Sequence, residues 1–98
     1  MCWAWSIDPH SSEAFLRQYL HAVPSNKLFV FGGDAGWPYA SAAYAWQARR
    51  GLTRALQAEI DACFVTETQA IGLARRWMRD NAYACFDVAR ARAEISRV

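Results

Sequence analysis

Few residues in this chain combine a reactive side chain with a place fit to use it, and Asp34 is the clearest. It follows Gly32-Gly33, directly after the apolar run Leu28-Phe29-Val30-Phe31. Two glycines let a backbone turn sharply and approach a ligand closely. A carboxylate beyond such a turn can bind a metal ion or take a proton from water. The same Gly-Gly-Asp also reads as a plain turn, with Asp34 capping the next helix or closing an Asx-turn. Trp5 and Trp37 are the candidate substrate contacts. Trp37 lies in the loop after Asp34, and Trp3 and Trp5 share a face if their segment is extended. Trp5 also reads as a packing residue, since large aromatics serve that way most often, and Trp37 as a hydrophobic staple at the start of the next helix.

The other chemical groups are sparse. The histidines are His10 and His21, and neither has a partner at metal-ligand spacing. Cys2, Cys63 and Cys85 form no Cys-x-x-Cys pair and no disulfide framework, so reduced thiols packed as small hydrophobes are expected. Arg49-Arg50 and Arg75-Arg76 read as solvated helix faces, or as Arg stems lying over apolar surface. Ten of the eleven basic residues are Arg, against nine acids, for a net charge of +2. That near-balance argues against a strongly electrostatic nucleic-acid module, even with the Arg-rich stretch from Arg90 to Arg97.

The elements that must position Asp34 follow from pattern. Cys2 to Trp5 reads as the end of a strand. Asp8-Pro9 gives an N-cap and a proline at the first helical position. Phe15, Leu16, Tyr19 and Leu20 then recur at helical spacing, predicting a helix from about Pro9 to about Ala22. Pro24-Ser25-Asn26 stops it. The continuous apolarity of Leu28–Phe31 suggests a strand buried on both faces, as in a parallel sheet. From Tyr39 to about Cys63 the pattern is helical, with Gly51 as a place to bend or break. Thr66 and Gln69 form a capping box, and Ala70, Ile71, Ala74, Trp77 and Met78 make the stripe of the helix behind it. Asp80-Asn81 marks a break or a new cap. Strand, helix and buried strand in that order make a βαβ unit. At 98 residues the chain is one small domain or part of a larger one, and a 54% hydrophobic composition excludes disorder. No apolar run has membrane-spanning length, and the first residues lack the build of a secretory signal.

Val23-Pro24 and the run from Asn26 to Asp34, NKLFVFGGD, resemble the last-strand motif of the amidohydrolase superfamily, in its branch of TIM-barrel metal-dependent hydrolases. TETQAIGLARRWMRDNA, from Thr66 onward, is similar to that family's terminal helix. CWAWSIDPHSSEAFLRQYLHAVPSNK resembles the strand end and helix before the motif. The likeness covers roughly residues 2 to 88. It implies an α/β fold: the C-terminal fragment of a (β/α)8 TIM barrel, holding the end of strand 7, helix 7, strand 8, helix 8 and terminal helices. Residues 1–98 would be a single partial domain, mostly helical as it stands.

The resemblance also implies a chemistry. In the family, the aspartate ending the last strand is a metal ligand and the base that activates water, and by position this role falls on Asp34. The parent enzyme would then be a cytoplasmic hydrolase in which a divalent metal, zinc first, activates water against an amide or ester-type bond of a small-molecule substrate. A decarboxylase or lyase on the same scaffold is the neighbouring possibility. The family's His-x-His pair is absent, and a complete barrel takes about 250 residues. This chain alone is therefore expected to be inactive and to bind no metal tightly. No nucleic acid or membrane partner is expected, while self-association through exposed barrel surface is. The competing reading is a stand-alone helical interaction module without enzymatic activity, using a Trp-rich surface.

Overall fold

The computed structural model describes residues 1–97. The chain opens with a short helix, α1 (Ala4–Ile7), followed by α2 (Pro9–Ala22). A single 3-10 turn, Ser25–Lys27, leads into an extended stretch, and then comes the long α3 (Pro38–Asp61). The last part is α4 (Glu67–Arg75), a π-helical turn (Arg76–Asp80), α5 (Asn81–Cys85) and α6 (Val88–Ile95).

The expected α/β fold is not found. Among the described residues no strand forms, and the domain is all-helical rather than a barrel fragment carrying strands 7 and 8. One isolated parallel bridge, Cys2 to Gly32, is the only β pairing there. The reason lies at Trp3, whose φ of 62° turns the chain out of the extended region and into α1 directly after Cys2. A ladder needs a neighbour that stays extended, and this neighbour leaves after one residue. The apolar run is nevertheless buried, with Leu28 and Val30 inside and Phe29 and Phe31 half-buried. Its backbone bonds to helices instead of a strand. The Trp5 indole N–H donates to the Val30 carbonyl at 2.8 Å, the Asn81 amide to the Leu28 carbonyl at 2.7 Å, and the Val30 N–H to the Trp77 carbonyl at 3.3 Å. Buried backbone groups must find partners somewhere, and here side chains and the π-helical turn supply them.

The helices follow their local signals closely. Asp8 caps α2 by accepting from the His10 and Ser11 N–H groups, with Pro9 at the first helical position. The capping box at Thr66 and Gln69 is complete in both directions, at 3.3 and 2.8 Å. At Asp80-Asn81 the expected break or new cap does not form: both residues keep right-handed helical dihedrals as the π turn passes into α5, and no side chain caps it. At Gly51 the helix does not break. α3 runs straight through, because the glycine makes room for an aromatic ring: a Cβ there would lie 2.2 Å from Cζ3 of Trp5. Trp5, Leu16, Leu28, Val30, Ala48, Leu52, Ala55, Leu56, Ala70 and Trp77 form the core between α1, α2, α3, α4, the π turn and the extended run. Contacts Glu13–Arg54 and His21–Glu59 set α2 and α3 side by side in the same direction.

Candidate functional site

Asp34 sits where the extended run ends and the loop into α3 begins. The backbone before it is closely packed. A Cβ on Gly32 would meet Cα, Cβ and Sγ of Cys2 at 3.2 Å, and one on Gly33 would lie 2.4 Å from the Ser41 hydroxyl oxygen. Both glycines therefore serve close approach: Gly32 to the N-terminal segment, Gly33 to the first turn of α3. Between these contacts the chain has little freedom, and Asp34 takes φ 40°. A left-handed conformation is uncommon at non-glycine residues, with Asp among those that adopt it most readily, and Trp3 and Cys63 share it in this chain. The side chain is exposed to solvent. Trp37 is the N-cap of α3, with no side chain capping its first turn, so Asp34 does not serve as a helix cap. Within the described residues Asp34 makes no ion pair.

The aromatic candidates separate. Trp37 is 65% exposed and its ring lies 6.3 Å from that of Tyr39, on the loop that carries Asp34. Trp5 is 1% exposed, packed on Gly51 and hydrogen-bonded to Val30, so it offers no face to a substrate in this structure. Trp3 is half exposed and does not continue a strand with Trp5, since α1 begins between them.

The donor set around Asp34 does not make a metal centre. Among the described residues, no three of His, Cys, Asp and Glu gather closely enough to hold an ion. His10 lies in the first turn of α2, and His21 is engaged elsewhere. Cys2, Cys63 and Cys85 are all exposed free thiols rather than packed hydrophobes, a correction to the expectation from sequence. Cys63 ends α3 in a left-handed turn at φ 58°, which lifts it out of the apolar stripe.

A polar cluster that sequence reasoning did not single out lies between α2 and α3. Glu59 is 2% exposed, accepting from Arg17 Nε at 2.6 Å and pairing with His21 Nε2 at 2.8 Å. Burial alone would raise its pKa, but the hydrogen bonds and charges of Arg17 and His21 outweigh that and hold it below the ordinary glutamate range. The His21 ring packs against Phe64, with centroids 4.0 Å apart. The sequence carried a signal: Glu59 is seven residues beyond Leu52, on the buried stripe of α3, while Arg17 and His21 are four apart on one face of α2. The arrangement locks two helices together, and both carboxylate oxygens are already taken.

No helix among the described residues is long and apolar enough to cross a membrane. Comparison with protein-family models, with curated proteins and with solved structures finds no match to this chain.

Proposed function

We propose that this chain contributes the catalytic carboxylate of a metal-dependent, amidohydrolase-like hydrolase in the cytoplasm. The observation that supports this reading is Asp34 itself: exposed, in a left-handed conformation, at the end of a buried extended run, with the glycines before it fixed by close contact. The motif resemblance through NKLFVFGGD points to the same residue. A metal site built on Asp34 would take its remaining ligands from further polypeptide, and the chain alone is then expected to be inactive and to hold no metal tightly. Asp34 is the residue for metal ligation and proton acceptance, and Trp37 borders it as a substrate contact. The substrate is a small molecule with an amide or ester-type bond, and zinc is the first metal to try.

The test is to express the chain joined to whatever its gene encodes in frame upstream, and to assay p-nitrophenyl acetate hydrolysis with added zinc. Asp34→Asn should lower the rate by at least about 100-fold, the scale of a lost general base, with helical circular dichroism unchanged. Full activity in the Asn variant would overturn the assignment.

A second reading has its own support. The accessible surface is 6851 Å², whereas a folded monomer of 11.1 kDa is expected to expose about 5,650 Å². The excess of roughly 1,200 Å² is comparable to one partner's share of a standard interface, about 800 Å². Trp3, Ile7, Trp37, Tyr39, Trp46 and Phe86 are all more than half exposed. An interaction module that self-associates or docks a partner fits this surface without any chemistry at Asp34. Hydrolysis by the chain joined to its upstream partner sequence tests it: an Asp34→Asn variant as active as wild type favours the module, while a loss of rate of about 100-fold contradicts it.

A further inference from the structure

We infer that the groove on α3 formed by Trp46, Arg49, Arg50, Thr53 and Arg54 is a docking surface for an acidic segment of a partner protein. The groove is a shallow one between side chains of α3 alone, and three of its five lining side chains are guanidinium groups. The stretch from Trp46 to Arg54 contains three arginines and no acid, in a chain whose net charge is only +2. Positive charge is therefore concentrated on one helix face. Arg54 shows what chemistry the groove takes: its Nε holds the Glu13 carboxylate of α2 at 2.7 Å. Arg49 and Arg50 make no ion pair among the described residues. They present the planar forks that match a carboxylate in bidentate fashion. Trp46 is 58% exposed, with the Arg50 guanidinium 4.7 Å from its ring centroid. That stack holds Arg50 in place and adds an apolar floor. Trp and Arg together are the residues that most often dominate binding at protein interfaces. Glu13 is the one acid seen at this groove, and it is spent on Arg54. The remaining positive charge calls for carboxylates from outside.

The experiment measures binding of a fluorescein-labelled decaglutamate peptide to the full 98-residue chain by anisotropy at low salt. Four comparisons decide it. The double variant Arg49→Glu/Arg50→Glu should weaken binding at least tenfold, and Trp46→Ala should weaken it several-fold. The charge-matched control Arg90→Glu/Arg92→Glu, on α6, should leave it unchanged. A decaglutamine peptide should not bind. Circular dichroism checks that each variant keeps its helices, and Arg49→Gln/Arg50→Gln replaces the charge reversal if that variant loses them. Equal weakening by the α6 control would overturn the inference, because net charge alone would then explain binding. Tighter binding of decathymidylate than of decaglutamate would overturn it in favour of nucleic acid. No measurable binding of decaglutamate would overturn it outright.

Discussion

Gly51 decides how α1 meets α3. Its missing side chain is filled by the Trp5 ring, so any Cβ collides with a side chain that has nowhere to move. Alanine there gains about 1 kcal/mol of helix propensity, yet overpacking a tight core costs about 1–3 kcal/mol. Gly51→Ala is therefore expected to lower Tm in thermal denaturation, where each kcal/mol is worth about 4–8 °C for a domain this small. A raised Tm would show that Trp5 is free to shift. At Glu59 the prediction concerns pH. A carboxylate whose pKa is depressed by folding stabilises the native state above its ordinary pKa, and this contribution is lost as pH falls through the lower folded value. Chemical denaturation of wild type should show stability falling in that acid window, and Glu59→Gln should remove this group's part of the fall. At neutral pH the Gln variant should be less stable by about 1–3 kcal/mol, the scale of hydrogen bonds to a charged group. Both residues were partly legible: Gly51 stood out as an irregularity, and Glu59 kept the helical period of its apolar neighbours. What the sequence could not show was which ring or cation would arrive from elsewhere in the chain.

At the scale of elements, local rules placed the helices well. The Asp8-Pro9 start, the stop before Pro24 and the Thr66/Gln69 box each act within four residues, so each could be read directly. α4 depends on its box in a measurable way. Thr66→Ala should cost about 0.5–2 kcal/mol, and hydrogen exchange should show loss of protection concentrated in the first turn of α4. Protection unchanged there would mean that packing of Ala70 and Trp77 alone holds the helix. The strands fared differently. Continuous apolarity suggested a strand buried on both faces, but only Leu28 and Val30 are buried while Phe29 and Phe31 are half-buried, and burial does not specify a ladder. Pairing depends on a distant neighbour remaining extended, and Trp3 ends that after a single bridge. The same lesson holds for the stripe at Ile71, which is 65% exposed although its spacing matches the buried Ala70 and Trp77. Period gives a face, and only the tertiary neighbours decide how wide that face is.

The whole molecule spans 48 × 27 × 20 Å, with a radius of gyration of 14.4 Å, against about 13 Å for a compact domain of 100 residues. Among the described residues, six α-helices bury Trp5, Leu28 and Val30 but leave Trp37 and Tyr39 of the aromatic loop exposed. Asp34 and Trp37 are both exposed on this loop. The position of Asp34 was visible in the sequence, from the glycines before it and the apolar run before them. Its left-handed backbone and the clamps at Cys2 and Ser41 were not, because both contacts join segments far apart in the chain. The central claim is that Asp34 serves a hydrolytic site shared with further polypeptide. It is tested most directly by reading the DNA immediately upstream of the Met1 codon and translating it in frame. The account predicts an open frame that encodes a His-x-His pair, the ligands this chain lacks. A stop codon close upstream, with a ribosome-binding site before Met1, would contradict it and leave the helical interaction module as the function.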